Sequence, residues 1–122
     1  MDNFVQSYKD LIVWQRSMEL VVNIYQITEK FPKQEVYGLT NQMRRCLVSI
    51  PSNIAEGRGI GTRKDYIHFL RIALGSSNEL QTQLEIARRL DYICDAKKAE
   101  DLLIEVIKML NAMIYKLNYP NS

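Results

Sequence analysis

Apolar residues recur along this chain at steps of three and four, the spacing that puts side chains on one face of an α-helix. Trp14, Met18, Val21 and Tyr25 form one such stripe, and Val13, Leu20, Ile24 and Ile27 form a second beside it. Together they predict a helix over residues 11–29, ended by Phe31-Pro32 because the residue before proline is pushed out of the α region. Val36, Leu39, Met43, Cys46 or Leu47, Ile50 and Ile54 carry the period through residues 34–56. Pro51 falls inside that segment and deprives the Leu47 carbonyl of its usual donor, so a kink is expected there. Gly57 reads as a left-handed C-cap.

Residues 58–61, Arg-Gly-Ile-Gly, read as a flexible connector. Thr62 then stands as an N-cap with Asp65 three positions on. Tyr66, Phe69, Leu70, Ala73, Leu80, Leu84 and Ala87 line one face of a third helix, residues 63–90. Gly75 interrupts it at a cost of about 1 kcal/mol relative to alanine, which suggests another helix approaching closely. Asp95 is placed to cap a fourth helix, residues 96–117, with Leu103, Val106, Leu110, Met113 and Leu117 as its core stripe. Ile104, Ile107 and Ile114 add apolar surface beside that stripe.

Four segments of similar length joined by short turns predict an all-α fold, an antiparallel up-down-up-down four-helix bundle in a single domain over 1–122. The first and fourth helices carry more apolar surface than one bundle face needs. That surplus predicts self-association.

Composition changes this picture little. The chain has 122 residues, 47% apolar and 25% charged, the balance of an ordinary globular domain. No apolar run approaches the roughly 20 residues that span a bilayer, and the segment MDNFVQSYKD lacks a secretory pattern. A cytoplasmic location is expected, with Cys46 and Cys94 as buried reduced thiols.

Charge is more informative than its net value of +2. Arg44, Arg45, Arg58, Arg63, Lys64 and Arg71 stand against only Glu56 and Asp65, so this central segment carries +4 and the remainder −2. Arginine's planar fork suits phosphate, and a helix start adds amide donors and a positive dipole end. These six residues are candidate nucleic-acid contacts. The competing account is a solvated face with helix ion pairs such as Glu85 to Arg88 or Arg89.

Material for catalysis is sparse. His68 is the single histidine, and Asp65 three residues before it makes one carboxylate–imidazole pair where di-iron bundles need two plus further glutamates. Cys46 lies on an apolar stripe, where an inert thiol is the simpler account. No phosphate loop follows a strand. No enzyme activity, metal, cofactor or small-molecule substrate is therefore expected. Ser49, Ser52, Asn53 and Glu56 form a polar cluster near Pro51. It reads first as structural, the serines and Asn53 serving carbonyls freed by Pro51 and Glu56 pairing with an arginine such as Arg71.

Several strings taken together carry a resemblance. They are Asp10-Leu-Ile-Val-Trp14-Gln, Phe31-Pro32, Tyr37-Gly38-Leu39-Thr40, Gln42-Met-Arg44-Arg45, Ser49-Ile-Pro51-Ser-Asn53-Ile-Ala-Glu56-Gly57, Phe69-Leu-Arg71-Ile-Ala73, and Gly75-Ser76 followed by Glu79-Leu80. The chain resembles the bacterial four-helix bundle proteins encoded by intervening sequences within 23S ribosomal RNA genes. The resemblance runs from about Leu11 to the end of the third helix and weakens in the fourth. It implies a homopentameric ring with a central channel, no enzyme activity and no cofactor, and ribosomal RNA as a partner. Distant relatives include accessory subunits of diversity-generating retroelements, which bind a reverse transcriptase, so a protein-binding adaptor for a polymerase-type partner is the alternative. After Glu56-Gly57 this chain has Arg58 and then Gly59-Ile60-Gly61, leaving the later basic position of the family's loop to Arg58 or Arg63.

Overall fold

The computed structural model describes residues 7–121, so the reading of MDNFVQ lies outside the described residues. Four helices fill the chain: α1 (Ile12–Glu29), α2 (Leu39–Ile60), α3 (Arg63–Arg89) and α4 (Lys97–Asn118). Short 3-10 turns, Tyr8–Asp10 and Lys33–Glu35, precede α1 and α2. The described residues contain no strand. Helix α1 packs on α2 and α4, and α3 packs on α2 and α4, so α1 and α3 lie across the diagonal of the bundle. Cross-contacts fix the direction of α2 against α3. Cys46 meets Gln83, Ser49 meets Ser76, and Gly57 meets Phe69, one index rising as the other falls. The pair is antiparallel.

Each helix contributes its apolar face to one core. Leu20 and Ile24 from α1, Met43, Leu47, Ile50 and Ile54 from α2, Leu70 and Leu80 from α3, and Val106 and Leu110 from α4 are fully buried. Burying each such side chain is worth roughly 1.5–3 kcal/mol, against an extended-chain reference that overstates the gain. In α4 the buried set is Ala99, Leu102, Leu103, Val106, Leu110 and Ile114, while Met113 and Leu117 are only half-buried. Ile114, read as surplus in the sequence, is therefore a core residue.

Both ends of α2 differ from the expected 34–56. Its start moves to Leu39 because Glu35 folds back as a cap: Oε1 accepts from the Leu39 N–H at 3.0 Å. Oε2 accepts from the Tyr92 hydroxyl at 2.7 Å, so one carboxylate joins the α1–α2 and α3–α4 connections. Those bonds, the Leu39 amide first and the Tyr92 hydroxyl second, hold the Glu35 carboxyl below the ordinary glutamate range. Val36 and Tyr37 fall in the turn, with Tyr37 93% exposed, so the apolar period does not extend back to them.

The far end of α2 passes through Gly57. That glycine is buried where α2 meets α3; a Cβ there would lie 2.8 Å from the Phe69 Cβ and 3.1 Å from Cδ1 of Tyr66. Its role is close helix approach, and the left-handed cap is Gly61, at φ 98°. Residues 58–60 are thus the last turn of α2, not a flexible connector, and only Gly61 and Thr62 separate it from α3. Helix α2 also runs unbroken through the buried Pro51. At α4, Asp95 Oδ1 accepts from the Lys97 N–H at 3.0 Å, so the expected capping carboxylate acts one residue before the formal cap, Ala96.

Candidate nucleic-acid interface

The two-residue link between α2 and α3 brings Arg58, Arg63 and Lys64 to one end of the bundle. Thr62 caps α3 there: its Oγ1 accepts from the Asp65 N–H at 3.2 Å and donates to Asp65 Oδ2 at 2.7 Å. The first turn of α3 is therefore ordered with Arg63 and Lys64 exposed on it. Arg58 is half-buried beside Tyr66, whose hydroxyl is pushed up chiefly by its burial, with the Arg58 charge acting the other way. Arg45 and Arg71 are exposed farther along α2 and α3.

Arg44 behaves differently from the other five. Its Nε donates to Thr28 Oγ1 at 3.0 Å, its Nη2 donates to the Tyr25 carbonyl at 3.2 Å, and its guanidinium lies 4.4 Å from the centre of the Tyr25 ring. The side chain ties the last turns of α1 to α2 by hydrogen bonding and a cation–π contact. Nothing in the apolar period marks this role. Its sequence trace is the Tyr25/Thr28 pair, three residues apart on the end of α1.

Ion pairing separates the arginines by region. Every arginine outside the central segment has an acidic partner: Arg16 with Glu19 and Glu105, Arg88 with Glu100, and Arg89 with Glu85. Arg45, Arg63 and Arg71, and Lys64 with them, form no ion pair among the described residues. In particular no pair joins Glu56 to Arg71, the partner anticipated for that glutamate; both are exposed.

The polar cluster divides likewise. Asn53 Nδ2 donates to the Ser49 carbonyl at 2.8 Å and to Ser49 Oγ at 2.9 Å, and Ser49 Oγ shares a 2.9 Å hydrogen bond with Ser76 Oγ of α3. The carbonyl that Asn53 serves is that of Ser49, whereas the one Pro51 deprives is that of Leu47. Ser52 and Glu56 are exposed and stand apart from this seam. One turn farther along, Gln83 Nε2 donates to Cys46 Sγ at 3.5 Å, and Gln83 Oε1 has no protein partner among the described residues. Burial, ahead of its other surroundings, pushes the Cys46 thiol up, away from the thiolate a nucleophile needs. Cys94 is exposed, against the expectation of a buried thiol.

No group of three His, Cys, Asp or Glu side chains suited to a metal occurs among the described residues. His68 lies exposed on α3 against the edge of the Phe69 ring. No helix among the described residues is long and apolar enough to cross a membrane.

A sequence profile of the 23S rRNA-intervening sequence proteins matches residues 9–112. The chain belongs to that family. A comparison with curated proteins gave no match. Among solved structures, this intervening-sequence protein is similar to a Bacteroides thetaiotaomicron protein of unknown function from the S23 ribosomal protein family. The two share 28% identity over 85% of this chain and 96% of the other, with a TM-score of 0.76. The profile match extends well into α4, beyond the strings that carried the sequence resemblance.

Proposed function

We propose that this intervening-sequence family member is a non-enzymatic, pentameric protein that associates with RNA, ribosomal RNA first, through its basic segment. The observation that carries the reading is that, within the central segment, exposed basic side chains stand without ion-pair partners among the described residues: Arg63 and Lys64 on the first turn of α3, Arg71 two turns along it, and Arg45 farther off on α2. An arginine already paired with a carboxylate must give up that partner to reach a phosphate; these residues have none to give up. The free amides and dipole of the α3 N-terminus add to their field. One copy carries only a modest charge, but a ring repeats the +4 segment around its circumference and builds a substantial potential from it.

Contacts of this kind position a phosphate backbone and read no bases, so binding is mainly electrostatic and weakly sequence-specific. Arg44 contributes by holding α1 against α2, not as a free phosphate ligand. The double change Arg63→Ala, Lys64→Ala tests the reading by fluorescence anisotropy on labelled RNA. The expected result is an affinity loss on the order of tenfold at low salt, with assembly and helical content unchanged. Equal affinity of the parent and the double variant would remove these two residues from the site. Binding that ignores salt would instead indicate a protein-like apolar contact and favour the adaptor reading.

A further inference from the structure

Two stripes are left exposed among the described residues, the α1 stripe bordered at Tyr25 by the Arg44 guanidinium. On α1, Met18, Val22 and Tyr25 follow at i, i+4 and i+7, with Val22, 56% exposed, on the side of the helix away from Leu20 and Ile24. On α3, Ile72 and Ile86, 37% and 43% exposed, bracket Gly75 and Thr82 at steps of three and four. A Cβ built on Gly75 meets nothing within 4 Å. The close helix approach expected there is thus absent within the chain. A glycine in a helix interior costs about 1 kcal/mol relative to alanine, and none of the described residues uses the space it leaves.

The two stripes differ in character and in position. Helix α1 has one arginine against two glutamates, whereas α3 has five basic residues against three acidic ones. Because α1 and α3 lie across the bundle diagonal, their outer faces point in opposite directions. One stripe is bulky and on an acidic helix; the other has a gap one turn from Ile72 and is on a basic helix.

We propose that α1 of one copy packs on α3 of the next, with Val22 seated over Gly75. The occupant of each stripe is a second copy of this chain. In an antiparallel crossing Glu29, two turns beyond Val22, falls opposite His68, two turns before Gly75, and within one turn of Arg71; neither Glu29 nor Arg71 has an ion-pair partner within its own chain among the described residues. Two different faces on opposite sides of a protomer make a heterologous, head-to-tail contact, which closes as a ring when the rotation allows. The inference rests on the oligomeric reading above and gives that oligomer its faces. It also turns Arg71 toward the subunit contact, leaving Arg45, Arg63 and Lys64 as the phosphate-facing cations.

The test uses two single variants, Val22→Arg and Gly75→Leu, each at an exposed position, with far-UV circular dichroism to check that both remain helical. Masses are read by light scattering at a concentration where the parent is assembled. Each variant alone is expected to fall to the mass of a single chain. An equimolar mixture is expected to give dimers and nothing larger, because the intact α1 of Gly75→Leu meets the intact α3 of Val22→Arg and neither end can extend. A parent that assembles while both variants assemble equally well would overturn these faces and leave the oligomer standing. Monomeric variants whose mixture forms no dimer would overturn the pairing of α1 with α3. A parent with the mass of one chain at every concentration would overturn the oligomeric reading itself.

Discussion

Replacing Gly57 by alanine isolates the closest approach of α2 to α3. The added Cβ would stand 2.8 Å from the Phe69 Cβ, 3.1 Å from Cδ1 of Tyr66 and 3.4 Å from the Tyr66 carbonyl oxygen. A carbon pair in good contact sits at about 3.5–4.0 Å. The Phe69 Cβ is bonded directly to the α3 backbone, so no rotamer change relieves the clash and the helices must separate. Overpacking of this kind costs roughly 1–3 kcal/mol. Alanine returns about 1 kcal/mol of helix propensity, for a net loss of up to about 2 kcal/mol. At this chain length that is a fall in Tm of up to roughly 10 °C.

Gly59→Ala supplies the comparison. It lies two residues on in the same helix, and its Cβ would meet nothing within 4 Å. It gains propensity without the clash, so its Tm should equal or exceed the parent's. Thermal unfolding followed by circular dichroism measures both. A Gly57→Ala protein as stable as Gly59→Ala would refute the claim that Gly57 is present for close packing.

Two further outcomes follow from the ends of the bundle. Arg44→Lys loses the Nε bond to Thr28 and most of the Tyr25 contacts, so denaturant unfolding should show a loss of about 1–2 kcal/mol; unchanged stability would return Arg44 to the free cations. Glu35 is held below the ordinary glutamate range, so it contributes stability above its unfolded-state pKa that is lost as pH falls through the lower folded value. Glu35→Gln should therefore flatten the acid side of the Tm-versus-pH curve, and parallel curves for the two proteins would contradict the assignment.

The helices and their core faces are legible in the sequence because a period near 3.6 survives along each of them. The boundaries of α2 are less legible, for identifiable reasons. Gly57 and Gly61 are both glycines near a helix end, and only the third dimension shows that one is pressed against Phe69 while the other has positive φ. Glu35 caps α2 from within a 3-10 turn and is held by Tyr92, 57 positions away, a contact no local pattern contains. The basic segment stands out by charge count, but the count cannot separate Arg44, bound to Thr28 and Tyr25, from exposed Arg63. Surplus apolar surface was visible on α1 and α4. On α3 it is masked, because Ile72 and Ile86 stand far apart in the sequence, each beside a buried alanine of the core face, and align only when the helix is wound.

The most direct test of RNA association is the salt dependence of RNA affinity for the assembled parent beside Arg63→Ala, Lys64→Ala. For single-stranded RNA, log Kobs should fall against log salt with a slope of about −0.7 per phosphate neutralised, and the double variant should show a shallower slope by about one to two contacts per copy engaged. A parent that assembles yet shows no RNA affinity at low salt, or whose slope the double variant leaves unchanged, would contradict it.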